Sequence, residues 1–189
     1  MRTLRVVTLA VLAITVVAST GFAQRRVNTG NSPASTRALE FGFDAASITA
    51  GMDSPNRYLD LAIAGDPMLR LAVFLSPSTA IEPRFRWFSS ATQNQVGFSS
   101  YALDIGVLYG LSSMDPNEKP LYMRPSVMIS GGSSGVRSYT TISGAIGMRR
   151  MMHGMVMHNE LSVNRQLESV PVPAATYIQL RHGLSIRRQ

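Results

Sequence analysis

Residues 98–111, FSSYALDIGVLYGL, alternate in polarity with a period of two. Tyr101, Leu103, Ile105, Val107, Tyr109 and Leu111 fall on one parity. Ser100, Ala102, Asp104, Gly106 and Gly110 fall on the other, with Leu108 the one large exception. A β-strand sends successive side chains to opposite faces, so one face of this segment is an apolar stripe with a tyrosine near each end. The other face is small or polar and carries one carboxylate. Strands that cross a bilayer in a barrel have this pattern, apolar toward lipid and polar toward a lumen, between aromatic girdles.

The same alternation recurs along the chain. It begins with Leu39, Phe41, Phe43 and Ala45 against Glu40, Gly42 and Asp44, in a strand ending near Gly51. In residues 58–75 the odd positions Leu59, Leu61, Ile63, Leu69, Leu71, Val73 and Leu75 keep one parity through Gly65-Asp66-Pro67. Preserved parity predicts one long kinked strand, with an extra hairpin at 65–67 as the alternative. Further strands are predicted over 80–89 (Ile81, Phe85 and Trp87 against Glu82, Arg84 and Arg86), 98–111, 121–130, 138–149, 155–166 and 175–187. In the last of these Ile178, Leu180 and Leu184 oppose Tyr177, Gln179, Arg181 and Ser185. Tight turns are expected at 76–79 and 150–154, with longer loops near 52–56, 91–97, 131–137 and 167–174. Eight strands of about ten residues or more match a tilted bilayer crossing and return both termini to one side. The fold class is therefore all-β, an eight-stranded antiparallel up-and-down transmembrane barrel. Pro83 and Pro125 cannot donate to a ladder, and bulges or strand ends with outward side chains are expected there.

Parity also sorts the charges. The inward set holds Glu40, Asp44, Asp60, Glu82, Asp104 and Glu160 with Arg70, Arg84, Arg86, Arg124 and Arg181. An eight-stranded barrel is only wide enough for side chains to fill its interior, so these charges are expected to pair as a lumen network. Arginine suits that task because its planar fork holds carboxylates in two directions, and all but one of the 18 basic residues are arginine. The outward, lipid-facing set is Phe41, Phe43, Leu71, Val73, Phe85, Trp87, Tyr101, Leu103, Ile105, Val107, Tyr109, Ile178, Leu180 and Leu184.

Residues 1–23 read as a cleaved secretory signal peptide: Arg2 and Arg5 precede an uncharged apolar run, and Gly21-Phe22-Ala23 offers small residues before Gln24. Cleavage removes two arginines and takes the formal charge from +7 to +5. Residues 24–36 are a flexible lead-in, and 37–189 the barrel domain. The absence of cysteine excludes disulfides, thiolate metal sites and a cysteine nucleophile. The arginines are dispersed through alternating strands without forming a basic patch or helix, which argues against a nucleic-acid partner.

Other motifs are weak. His158, Glu160 and Ser162 share a strand face, but side chains two apart on a strand stand about 7 Å apart, too far for a relay. Met148, Met151, Met152, Met155 and Met157 with His153 and His158 suggest a soft-metal site, yet three of the methionines lie on the outward parity, where they act as apolar filler. Gly131-Gly132-Ser133-Ser134-Gly135 lacks the ending of a phosphate loop. No catalytic residue, metal or cofactor is expected.

With its leader, eight alternating segments, short turns and terminal strand ending Gly183-Leu184-Ser185-Ile186, the chain resembles the small bacterial outer-membrane β-barrel superfamily of the OmpA/OmpX type. That family's last strand usually ends in an aromatic residue. Here Ile186 stands near that place and Arg187-Arg188-Gln189 follow. The resemblance implies a monomer in the outer membrane, with a structural, surface-interaction or narrow-porin role and no enzyme activity. Its expected partners are outer-membrane lipid, lipopolysaccharide (through Arg57 and Arg137) and the barrel-assembly machinery. Two rival functions are a lipid A deacylase-like enzyme using His158 and Glu160, and a soluble periplasmic lipocalin-like carrier with the opposite parity.

Overall fold

A computed structural model of the chain describes residues 38–52, 59–63, 68–90, 97–111, 114–118, 120–133, 136–169 and 173–188. The sequence readings for residues 1–36, for Arg57, for Gly65-Asp66-Pro67 and for most of the longer loops lie outside these.

Nine strand segments form one antiparallel sheet: β1 (Leu39–Gly51), β2 (Leu59–Ile63), β3 (Leu69–Ser76), β4 (Thr79–Ser90), β5 (Phe98–Gly110), β6 (Leu121–Gly132), β7 (Tyr139–Met152), β8 (Met155–Gln166) and β9 (Ala175–Arg188). Each pairs with its sequence neighbour from β3 to β9, and β9 pairs back on β1 to close the barrel. β2 and β3 both pair with the same edge of β1, β2 opposite Ala46–Ala50 and β3 opposite Leu39–Phe43. They are one interrupted stave, as the kinked-strand reading has it, and the barrel has eight staves. Across the interruption β1 advances three residues, from Phe43 to Ala46, while its partner advances six, from Leu69 back to Ile63.

β1 departs from simple alternation. A bulge between Asp44 and Ala46 shifts its register against β9, so the outward face passes from Phe43 to Ala46 and Ile48. Ala45 is therefore not on the outward parity expected for it. One extra residue in one strand moves every later side chain to the other face.

The prolines lie on the outward parity, as expected, but mark neither a bulge nor a strand end. Pro83 pairs with Ile105 and Pro125 with Gly144 in mid-strand, with no register shift at either. On the other side of each, the ladder lapses without changing register: β3–β4 pairs are missing between Arg70↔Arg84 and Val73↔Ile81, and β5–β6 pairs between Gly106↔Ser126 and Tyr109↔Met123. A missing N–H thus costs a local pairing without displacing the strand.

The β7–β8 hairpin is tighter than the expected 150–154 turn. Met152 pairs with Met155, and His153 and Gly154 turn with φ of 50° and 80°. Two central residues with positive φ match the twist of the flanking strands. A 3₁₀ turn, Pro116–Glu118, lies between β5 and β6 at the same barrel end, where β1 begins and β9 ends.

Strands β4 to β9 are 12 to 14 residues long. A strand of that length is about 40 Å long and stands roughly 29 Å high at a tilt of ~45°, the height of a bilayer's hydrocarbon core. The outer face of the barrel is apolar and exposed: Phe41, Phe43, Leu71, Phe85, Tyr101, Leu103, Ile105, Ile146, Leu161 and Leu180 all stand free, and Trp87 is 69% exposed. Val73, Tyr109, Ile178 and Leu184 share that face half-buried. Val107 differs from its expected exposure. It keeps the outward parity opposite Ile81 but is only 2% exposed, a short side chain flanked by Ile81, Ile105 and Tyr109. A polar pair, Asn159 and His182, joined by a 2.9 Å hydrogen bond, interrupts the face beside the β1 bulge.

Candidate functional site

The barrel interior holds the chemistry of this chain, in three layers from the end where β1 begins and β9 ends to the opposite end, called the loop side. At the first of these ends the lining is apolar. Ala38, Ala72, Phe74, Ala80, Leu108, Met114 and Tyr122 form one buried cluster. Phe74 and Leu108 sit on the inward parity of their strands, and the interior is too narrow to leave them room to part. Two arginines that the sequence reading left out of the network, Arg149 and Arg187, each bring a guanidinium 4.9 Å from the centre of the Phe74 ring. Arg149 is fully buried, ion-pairs with Glu40 and donates to the Met114 carbonyl at 2.8 Å. It is the last residue of the strand as read from sequence, four positions before His153 of the observed turn, on the inward parity that could have found it.

The middle layer is a continuous ion-pair network. Arg84 Nε meets Glu82 Oε1 at 2.7 Å, and its two terminal nitrogens donate to Glu160 at 2.8 and 2.6 Å. Arg70 Nη2 donates to Glu82 at 2.6 Å. Arg124 lies 3.0 Å from Glu82 and donates to Asp104 at 2.8 Å. Glu160 also accepts the Tyr122 hydroxyl at 3.2 Å, and Arg181 stands 3.7 Å away. Buried in the barrel are Arg70, Arg84, Arg124, Arg149 and Arg181 against Glu40, Asp44, Glu82, Asp104 and Glu160, a matched set. Burying such charges is costly unless each finds an opposite partner with good geometry, and Glu82 with three arginines around it provides that. Small inward residues make the room: a β-carbon on Gly106 would meet the Arg124 guanidinium, and one on Gly147 would meet the Tyr122 ring.

One residue assigned to the network from sequence stands elsewhere. Asp60 is exposed at the loop end, opposite Thr49 on the far part of β1, and enters none of these pairs. Arg86 is half-buried, two residues beyond Arg84 on the same inward face, and lines the interior cavity with Asp44 and Arg181.

The loop-side layer is a cavity of about 110 Å³ whose lining includes Asp44, Arg86, Arg181, Gln179, Tyr139 and Tyr177. Asp44 reaches Arg70 and Arg84 only at 3.5 and 3.8 Å.

The proposed relay of His158, Glu160 and Ser162 does not assemble. Glu160 is occupied by Arg84 and Tyr122, while Ser162 contacts Asn164 at 2.9 Å and the Gln179 carbonyl at 3.3 Å. His158 instead places Nε2 at 2.6 Å from Ser185 Oγ and 2.8 Å from Glu40, with Ser185 donating to Glu40 at 2.6 Å. Its Nδ1 faces Arg70 at 3.4 Å. Arginine only donates, so Nδ1 is the acceptor and Nε2 carries the hydrogen. No imidazole lone pair faces the serine, and the group lacks the general base that a hydrolytic triad needs. Of the two histidines considered with the methionines, His158 is interior and apart from them, while His153 stands in the turn between the exposed Met152 and Met155. Among the described residues no three His, Asp or Glu side chains are placed to hold a metal ion.

No protein-family model and no curated protein matches the chain. Solved structures do. Neisserial surface protein A aligns at 11% identity with a TM-score of 0.56, covering 80% of this chain and 99% of that one. The outer membrane protein OprG of Pseudomonas aeruginosa aligns at 6% identity with a TM-score of 0.50, covering 82% and 97%. The shared feature is the fold, an eight-stranded antiparallel barrel.

Proposed function

Given the fold of the small outer-membrane barrels, we propose that this protein is an integral outer-membrane barrel whose interior is shut by its own side chains, with a structural or surface-contact role. The observation that carries this reading is the contrast between its two faces. Phe41, Trp87, Leu103, Ile105, Ile146 and Leu161 cover the outside, while five arginines and five carboxylates are matched within. A soluble protein seldom exposes so continuous an apolar surface, and hydrocarbon is the solvent that suits it. A lipocalin-like carrier needs the reverse arrangement, with an apolar lumen around its ligand.

The network and the apolar cluster together oppose solute flow. The interior has the width that side chains fill. Ions crossing it would have to displace the Arg84–Glu160 pair and then pass Phe74, Leu108 and Tyr122. The narrow-porin role is therefore the weaker form of the reading. Its proposed partners are bilayer lipid, the assembly machinery during insertion, and lipopolysaccharide, whose phosphates Arg137 at the loop end is suited to meet. The sequence of residues 1–23 supports export, and the engagement of His158 by Glu40 and Ser185 and of Glu160 by Arg84 supports a structural role for those two residues.

The test is paired. Protein refolded into detergent migrates differently on a denaturing gel before and after boiling, and gives no discrete conductance steps in a planar bilayer. Release of the protein from cells by osmotic shock without detergent would rule the reading out. Regular conductance steps would replace the closed barrel by a pore.

A further inference from the structure

The loop-side cavity is the part of the interior that the ion pairs leave open, and its lining is chemically incomplete. Asp44 is 6% exposed and faces it, yet neither of its carboxylate oxygens has a hydrogen-bond donor among the described residues. Its arginine neighbours at 3.5 and 3.8 Å lie at or beyond the outer limit of a hydrogen bond. Gln179 Oε1, on the same cavity, is a third buried acceptor with no donor. Native interiors leave few such groups, and several on one cavity mark a place where something else supplies the donors.

The surrounding charges narrow what that is. A free cation would satisfy Asp44 but would sit among Arg70, Arg84, Arg86 and Arg181. A free anion would suit Arg181, whose ion-pair partner among the described residues, Glu160, stands 3.7 Å away and is already held by Arg84, but it would face Asp44. A hydroxyl both donates and accepts, so neighbouring hydroxyls on an uncharged carbon frame meet both kinds of group at once. Tyr139 and Tyr177 add flat apolar surface against which such a frame packs.

We propose that this cavity binds a neutral polyhydroxyl compound, a small polyol or the hydroxylated edge of one sugar, donating to Asp44 and Gln179 and accepting from Arg181. Its size, about 110 Å³, suits a group of that scale. The inference does not depend on where the barrel resides or whether it conducts.

Two buried methionines, Met68 and Met128, line the cavity, while Met123 and Met155 stand exposed on the outer face. In refolded protein carrying ¹³C-methyl methionine, titration with glycerol or D-glucose is expected to shift the Met68 and Met128 signals saturably and leave Met123 and Met155 in place. Asp44→Asn should weaken the response about tenfold, in line with losing a hydrogen bond to a charged group. Gln179→Leu, which leaves the ion-pair network intact, should weaken it in the same sense and keeps the test valid if the first variant fails to fold. Two outcomes overturn the proposal. One is no saturable shift with either probe, which assigns the cavity to water. The other is a response that both variants leave unchanged, which marks adventitious binding only.

Discussion

Arg84 and Glu160 meet through two parallel hydrogen bonds of 2.8 and 2.6 Å across the full width of the barrel, from β4 to β8, two staves that stand opposite one another in the closed sheet. Neither is exposed, and the pair ties together walls that share no ladder. Because the backbone ladders run only between adjacent staves, side-chain contacts across the lumen such as this one hold the barrel's cross-section.

Breaking the pair from one side should be costly. Glu160→Gln leaves Arg84 buried with Glu82 as its close partner, and a loss of about 3–5 kcal/mol is expected, as for other half-broken buried pairs. The double variant Arg84→Met, Glu160→Met should lose much less than the sum of the single changes. Urea unfolding of the refolded barrel in detergent measures both, and additive losses would show that the two residues act independently.

The two glycines of β7 predict opposite responses. A β-carbon at Gly147 meets the Tyr122 ring, so Gly147→Ala should destabilise by about 1–3 kcal/mol, with partial recovery in a Tyr122→Leu background. Gly144 points outward with nothing within 4 Å, and Gly144→Ala should change stability by no more than ~0.5 kcal/mol. Equal effects at the two positions would mean that the Tyr122 contact is absent.

The outer face carries a depth-dependent prediction. Ile105 and Leu103 lie near the middle of β5, while Arg150 and Arg165 already stand exposed near the two ends of the β7–β8 hairpin. Ile105→Arg should cost about 2–4 kcal/mol in lipid, and the same change at Leu111, beyond the strand end, about 0–1 kcal/mol. Unfolding from lipid vesicles separates them. A soluble barrel would show little penalty at either position.

Much of this architecture could be read from sequence because a period of two leaves a mark on every long strand. Leu103, Ile105 and Phe85 declare their face, as do Asp104, Glu82 and Arg84. The β1 bulge left no mark, because Ala45 and Ala46 are equally small and either could point outward. Arg149 was missed for a different reason: the strand continues to Met152 through a two-residue turn that the sequence Arg150 to Gly154 does not distinguish from a longer one. Asp60 has inward parity but lies beyond the point where the wall encloses it. The choice of partners inside was beyond sequence altogether. Whether Arg84 meets Glu160 or Asp104 depends on how the sheet closes on itself, with β9 against β1, and pairing patterns in single strands do not encode that closure.

The central claim is that the apolar side of each strand meets hydrocarbon, and Trp87 reports on it directly. It is the one tryptophan in the chain, 69% exposed on the outer face and paired with Tyr101 toward the loop end. In protein folded into vesicles of lipids brominated at different acyl positions, its fluorescence should be strongly quenched, most by bromines close to the headgroup and less by those at the chain ends. Fluorescence indifferent to bromine at every depth would contradict the account, since it would place that face of the barrel away from lipid.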